Sequence, residues 1–220
     1  MREGVVVVAN GAPGRIGDLP AWASAADYVI AADGGYELAC GLGLKVDLVV
    51  GDFDSLPEEA RREIEEKGIE VEVHPREKDA SDLELALDRA LALCPKRLAL
   101  IGAIGDRLDH SLAGVFLLEK AAAAGVVEAV LLHGRGRAYL VRDRLEIEAA
   151  RIGDLVSLLP LSGEARGVRT EGLRYPLCGE TLHRASSRGI SNVVLSLPAR
   201  VALAEGSLLV VHHASPSVSV

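Results

Sequence analysis

Val46-Asp47-Leu48-Val49-Val50-Gly51-Asp52-Phe53-Asp54-Ser55 is the stretch whose reading decides the fold. Its first five residues are a short, largely apolar run broken by a glycine, the pattern of a buried strand. Two carboxylates follow at i and i+2. In extended backbone alternate side chains share a face, so Asp52 and Asp54 are expected to project together while Phe53 packs on the opposite side. Neighbouring carboxylates raise each other's proton affinity unless a cation sits between them. Mg²⁺ takes oxygen ligands, commonly one or two carboxylates with phosphate oxygens beside them. Surface turns are also full of Asp; what singles out this pair is its place directly after a buried strand.

Working outward, the first half of the chain alternates strand-like and helix-like segments. Upstream, residues 5–10 and 28–33 are apolar runs, the second ending in Asp33-Gly34-Gly35, and a short helix over 36–40 stops at Gly41 and Gly43. Downstream, residues 57–67 read as a charged helix with Pro57 at its start and Gly68 past its end. Residues 69–74 alternate like a strand. A helix over 81–93 puts Leu83, Leu87, Ala90 and Leu91 on one face. Residues 97–103 form the next strand, a helix runs from Asp109 or His110 to Ala124, and residues 129–133 complete the series. Short, unalternating strands separated by helices imply an α/β, Rossmann-like and largely parallel sheet with helices on both faces.

Beyond about Arg137 the pattern changes. Short stretches at 145–148, 155–159, 167–177, 192–197, 200–204 and 208–212 are punctuated by Gly and Pro, with no helical period. They read as a small all-β domain of sandwich or barrel type. The expected division is residues 1–133 and 134–220, with 215–220 a frayed tail.

Composition narrows the function classes. A net charge of −8 over 220 residues argues against a nucleic-acid partner, which needs clustered Lys and Arg. No apolar run approaches the length needed to span a bilayer, so the expectation is a soluble, cytoplasmic protein with no membrane partner. Cys40, Cys94 and Cys178 are odd in number and far apart, suggesting neither a disulfide framework nor a zinc site, and they are expected to be small core residues. Gln is absent and Asn occurs only at Asn10 and Asn192, so each of those amides draws attention. His74, His133, His183, His212 and His213 show no metal-ligand spacing with Cys and are expected at the surface or in packing. Trp22 is expected to plug the first helix into the sheet.

Ligands of open α/β sheets bind beyond the carboxyl ends of the strands. Asp33 falls at one such end, and Asp52 and Asp54 at another. After the next strand comes Lys78-Asp79-Ala80-Ser81-Asp82-Leu83-Glu84, where Ser81 and Glu84 have the spacing of a capping box. Acids in a first turn also offset the helix dipole, and that explanation suffices for Glu84. Asp79 and Asp82 share the sheet edge with the other acids, which favours a functional role. The fourth strand end carries Gly102-Ala103-Ile104-Gly105-Asp106-Arg107-Leu108-Asp109-His110. There glycine amides can approach a phosphate, a helix N-terminus adds positive potential, and Arg107 can grip phosphate oxygens. Asp109 can equally serve as a cap, and no Walker loop or Gly-x-Gly-x-x-Gly fingerprint occurs. Together these ends suggest a polyanion held through Mg²⁺.

Ala32-Asp33-Gly34-Gly35, the Gly51–Ser55 stretch, Lys78 to Glu84, Arg107-Leu108-Asp109-His110 and Gly189-Ile190-Ser191-Asn192 resemble, in order, the signatures of thiamine pyrophosphokinases. The resemblance spans nearly the whole chain. It implies transfer of a pyrophosphoryl group from ATP to the thiamine hydroxyl, giving thiamine diphosphate and AMP. It also implies a homodimer with thiamine where the β-domain of one subunit meets the α/β domain of the other. Carried over residue by residue, Asp52, Asp54 and Asp82 match Mg²⁺-binding acids with Asp79 close by. Asp33 and Asp109 match acids at the reaction centre. Arg107 matches an ATP-contacting arginine, with Gly34, Gly35 and Gly105 as further ATP-binding positions. Ser191 and Asn192 match residues facing the thiamine pyrimidine, and an Asn offers that edge both a donor and an acceptor.

The chain departs from the family pattern in two places. Asp106 stands where a glycine is usual, and Val193 and Val194 replace acidic and aromatic residues. Three alternatives stay open from the residues: a pyrophosphokinase for another hydroxymethyl heterocycle such as a pterin, an Mg²⁺-dependent phosphohydrolase, and a non-catalytic nucleotide or thiamine sensor.

Overall fold

The computed structural model describes residues 2–215 except 13, 15, 17, 18 and 55. The chain divides into two compact units, residues 1–134 and 135–220.

The first unit holds six strands: β1 (Arg2–Val8), β2 (Tyr28–Ala32), β3 (Leu48–Gly51), β4 (Glu70–Val73), β5 (Pro95–Ile101) and β6 (Glu128–His133). Within it they lie in the order β6-β5-β1-β2-β3-β4, every pairing parallel. Val5 to Val8 are fully buried, as a strand covered on both faces requires. The helices are α1 (Ala21–Ser24), α2 (Gly35–Gly41), α3 (Glu58–Glu66), α4 (Asp82–Ala92) and α5 (Leu108–Ala123). Helix α3 shows the local logic well. Pro57 stands at the N-cap position with φ −56°, Glu58 and Glu59 offset the dipole in the first turn, and Gly68 (φ 64°) stops the chain just beyond the helix.

From β1 to β4 the chain steps in one direction across the sheet; β5 returns to the far side of β1, and β6 continues outward. Because such crossovers are right-handed, the reversal puts α4 and α5 on the face opposite α1–α3. Helix α4 accordingly packs across β1, β2, β3 and β5 through Ala86, Leu87 and Ala90, and touches α5. Trp22 of α1 lies over Gly4 of β1, as expected of a plug into the sheet.

The second unit contains β7 (Gly136–Val141), β8 (Arg144–Glu146), β9 (Leu155–Pro160), β10 (Glu164–Glu171), β11 (Cys178–His183), β12 (Asn192–Val193), β13 (Arg200–Ala202) and β14 (Leu208–His213). Two antiparallel sheets result, β12-β9-β14-β7 and β11-β10-β13-β8. Their inner faces supply a core of Val156, Leu158, Ala165, Val168, Leu182, Val201, Leu208 and Val210. Strands β7 and β11 were not expected from the sequence: Gly136-Arg137 and Cys178-Gly179-Glu180 lack the apolar alternation of a strand. The mixed α/β fold class and the sandwich-like, all-β second unit are as read from the sequence.

Two expectations fail. All three cysteines are exposed: Cys40 near the C-terminal end of α2, Cys94 in a left-handed turn (φ 51°), and Cys178 at the start of an exposed strand end. Ser215 is not frayed, since its N–H donates to Asp154 Oδ1 at 2.9 Å; residues 216–220 lie outside the described residues. His212 and Asp154 form a buried pair, Nε2 to Oδ2 2.8 Å, inside the second unit.

Candidate active site

The direction of the chain reverses between β1 and β5, and ligands of open α/β sheets bind at such a reversal. Here the two loops beyond those strands are locked together. Gly11 N–H donates to Gly102 O at 2.8 Å. A Cβ on Gly11 would stand 2.3 Å from that oxygen, and one on Gly102 (φ 68°) would stand 2.1 Å from Ala9 O. Only glycine permits this approach. Asn10 is exposed at the reversal with its amide against Gly34. Sequence reading noticed Asn10 for its rarity without placing it in the site; the strand order that puts it there is a tertiary fact.

Asp33 follows β2 in the left-handed region (φ 48°), which Asp tolerates, and its N–H donates to Val50 O at 2.9 Å. That bond sets it beside the end of β3, where Gly51 leads into Asp52. Gly34 and Gly35 are buried. Their missing Cβ atoms make room for the Asn10 amide and for Val8 O, so they serve the docking of α2 onto β1.

The alternation expected for Asp52–Asp54 does not occur. Phe53 has φ 63°, so the backbone turns instead of extending, and Asp54 N–H donates to Asp52 Oδ1 at 3.0 Å. A tight turn, not a strand, brings the two acids together. Asp54 is exposed, with Arg76 Nη1 3.6 Å from its Oδ2. Ser55 of the same motif lies outside the described residues.

Ser81 caps α4 by accepting the Glu84 N–H at 3.2 Å, which sets Asp82 in the first turn with exposed Asp79 just before it. Glu84 itself pairs with Lys120 at 2.8 Å, a structural task. Lys78 Nζ lies 2.6 Å from Asp82 Oδ1, a partner that sequence reading passed over although it stands four residues earlier. Among the described residues no three His, Cys, Asp or Glu side chains stand close enough together to hold a metal ion. Asp52, Asp54 and Asp82 therefore do not form one three-carboxylate set here. The donor chemistry still suits Mg²⁺, which needs only one or two carboxylates when phosphate oxygens and water complete the shell; the Asp52–Asp54 turn offers two.

At the fourth strand end Arg107 reaches Asp109 through two hydrogen bonds, Nε to Oδ1 3.3 Å and Nη2 to Oδ2 2.6 Å. Those bonds from Arg107 hold the Asp109 carboxyl below its usual range. Asp109 does not cap α5; Arg107 is the N-cap residue, without a side-chain cap bond. Gly105 N–H donates to Ser111 Oγ at 3.1 Å, and Ser111 also lies 3.0 Å from Arg107 O as donor. The Gly105 amide expected to approach a phosphate is thus spent on Ser111, a loop staple that sequence reading missed. Asp106 is exposed.

In the second unit Ser191 is exposed and left-handed (φ 59°), with its N–H donating to Ser157 Oγ at 3.0 Å. Asn192 is buried. Its Oδ1 accepts the N–H groups of Tyr175 and Val193, both at 2.9 Å, and its Nδ2 donates to Tyr175 O at 2.7 Å. Both halves of the amide are therefore committed to backbone, which corrects the expectation of a free donor–acceptor edge. Asn192 positions the Tyr175 and Ser191 segments. Val194 is buried in the core, which accounts for an aliphatic residue there.

Comparison with known proteins follows the same lines. Residues 19–128 match the family model "Thiamin pyrophosphokinase, catalytic domain", and residues 144–208 match "Thiamin pyrophosphokinase, vitamin B1 binding domain". The thiamine pyrophosphokinase of Bacillus subtilis is 28% identical over 205 residues, 93% of this chain and 96% of that protein. A crystal structure of the Bacillus subtilis thiamine pyrophosphokinase has TM-score 0.85 at 26% identity, covering 97% of this chain and all of that one. The thiamin pyrophosphokinase structure from Geobacillus thermodenitrificans has TM-score 0.79 at 25% identity, covering 97% and 99%. With both domain models matched in order along its length, this chain belongs to the thiamin pyrophosphokinase family.

Proposed function

We propose that this protein transfers the pyrophosphoryl group of ATP to the hydroxyl of thiamine, forming thiamine diphosphate and AMP. The observation that carries the reading is the pair of family matches, a catalytic domain at 19–128 followed by a vitamin B1 binding domain at 144–208. The geometry of the first unit agrees: Asp33, Asp52 and Asp54 lie beyond neighbouring strands β2 and β3, and Arg107 beyond β5.

Attack of an alcohol on a phosphorus of ATP requires charge neutralisation and in-line placement more than covalent chemistry from the protein. Asp52 and Asp54 would hold Mg²⁺, which supplies the counter-charge for the phosphate oxygens when bound. Asp82 is neutralised by Lys78, and would join that set only with the ammonium displaced toward the phosphates. Arg107, released from Asp109, presents a planar fork to phosphate oxygens. Asp33 and Asp109 are the two acids at the reaction centre that would take the hydroxyl proton, and Asp109 becomes available for it when Arg107 leaves it for the phosphates. An acidic mouth also suits thiamine, a cation. As in the family, the working form would be a homodimer; Leu108, Leu112 and Phe116 form an exposed stripe along α5 on which a second copy would sit.

Incubation with ATP, Mg²⁺ and thiamine should yield AMP and thiamine diphosphate in equal amounts. Equal AMP release with thiamine omitted would instead indicate a phosphohydrolase, and turnover of a hydroxymethylpterin in its place would select the pterin alternative. In the same assay Asp33→Asn and Asp109→Asn are both expected to lower kcat, the proton acceptor by about 10²–10⁴-fold and the other acid by less. The acid whose substitution costs more is the proton acceptor, and an unchanged kcat in both variants would remove both from the reaction.

A further inference from the structure

At the amino ends of β3 and β4, the sheet edge opposite the acid mouth, lies a cavity of about 490 Å³ that the proposed reaction does not use. That size falls within the range of small-molecule sites. Leu44, Val46 and Ile69 give it apolar walls, and Tyr36 and Cys40 line it from α2. The Tyr36 hydroxyl is sealed from solvent and makes no hydrogen bond of good geometry, with the Cys40 thiol beside it and the charges of Glu63 and Lys67 in its surroundings. A buried hydroxyl left this way costs stability unless something completes it. Burial, with Cys40 beside it, pushes the phenol up to about 12, so the group remains a donor at neutral pH.

The charges around the cavity set the sign of an occupant. Asp47 keeps its negative charge while accepting the Val29 N–H at 2.9 Å, and two ammonium groups of the lining, Lys45 and Lys67, stand against it. Lys67 is held by Glu63 at 2.5 Å. Lys45 is exposed at the rim and forms no ion pair among the described residues. Apolar walls, an unpartnered hydroxyl on a residue of the wall and one ammonium without an ion pair at the rim fit an apolar anion.

We propose that this cavity is a second ligand site, for a small organic acid with an apolar body: the body against Leu44, Val46 and Ile69, a polar atom on Tyr36, the anionic end at Lys45. The site also has a route to the reaction. Tyr36 N–H donates to Asp33 O at 3.2 Å, so an occupant that shifts Tyr36 acts on an acid of the mouth. That coupling rests on the function proposed above; the binding does not.

The aromatic sulfonate anilinonaphthalene sulfonate serves as the probe, followed by its fluorescence and by the iodoacetamide labelling rate of each cysteine, read by peptide mass. Saturable binding is expected, with Cys40 protected while Cys94 and Cys178 label at unchanged rates. Lys45→Glu should weaken it by about tenfold or more, the weight of one charge-assisted contact, and Tyr36→Phe should weaken it by less. Both variants should keep the parent's melting temperature within a few degrees, because Lys45 is exposed and Phe retains the ring. Absence of saturable binding, equal Cys40 labelling with and without probe, or binding indifferent to Lys45→Glu would each overturn the site. The last outcome is what adsorption to the exposed α5 stripe would give. If AMP formation responds to the probe with the same midpoint as fluorescence, the coupling holds. Binding with unchanged turnover overturns the coupling alone, and turnover without any binding leaves the proposed function standing while removing the site.

Discussion

Asp54→Asn is expected to lower kcat/KM for AMP formation by about 10²–10³-fold while moving the melting temperature by no more than about 4 °C. The large kinetic effect follows from the role assigned to the carboxylate. Asp54 and Asp52 share one tight turn, and halving the charge of that turn weakens the counter-ion that must face a triphosphate. Several kcal/mol of charge stabilisation is at stake, and each 1.4 kcal/mol or so is a factor of ten in rate. The small thermal effect follows from exposure. The ion pair of Asp54 with Arg76, at 3.6 Å, is solvent-facing and is worth at most about 1 kcal/mol. The turn itself is closed by Asp54 N–H on Asp52 Oδ1, a bond the substitution leaves intact. Steady-state kinetics and a melting curve on one preparation decide the matter. A variant that melts ten degrees or so lower yet keeps its rate would make Asp54 a structural residue.

Asp154→Asn should have the opposite profile, a large loss of stability with the α/β unit's chemistry untouched. Asp154 is buried and collects three donors: Ser215 N–H on Oδ1 at 2.9 Å, and Arg151 N–H and His212 Nε2 on Oδ2, both at 2.8 Å. Burial pushes its pKa upward, and the bonds from Ser215, His212 and Arg151 outweigh that, leaving the carboxyl below its ordinary value. An Asn keeps one oxygen but turns an NH₂ toward donors, and breaking such a buried pair costs about 3–5 kcal/mol. For a chain of this length that corresponds to roughly 6–20 °C in melting temperature. The sign with pH is fixed by the lowered pKa. The stabilising contribution is complete above the unfolded value of about 4 and is lost as pH falls through the folded one. Chemical denaturation of parent and variant between pH 3 and about 7 tests this. The gap between them should narrow as the medium becomes acidic; a gap that is small at neutral pH, or constant with pH, would show that the pair carries no such weight.

Much of this was legible because it is local. Runs such as Val5–Val8, the Pro57-to-Gly68 frame around α3 and the Ser81 cap of α4 depend on interactions within a few residues, and those follow directly from side-chain chemistry. Where local signals were faint, as in β7 and β11, the strands exist because a neighbouring strand supplies their hydrogen bonds. The acids at 33, 52, 54, 79, 82 and 109 could be placed at strand ends from the same short-range patterns.

What the side chains do there could not be read so directly. The turn at Phe53, the Lys78 bridge to Asp82, the Arg107 fork on Asp109 and the Ser111 staple each depend on backbone angles and close distances. Asn192 is the clearest case: the letters suggest a ligand-reading amide, and burial hands both of its ends to Tyr175 and Val193 instead. By itself, the amino-acid sequence determined the order of strands and helices, the change to β structure after the first unit, and the family. The tertiary structure alone decided that β5 returns beside β1, setting Asn10 and Gly11 at the reversal, and that Tyr36 closes a cavity on the far edge. Strand order and cavity shape arise from contacts between residues far apart in the chain, and no short window of sequence carries them.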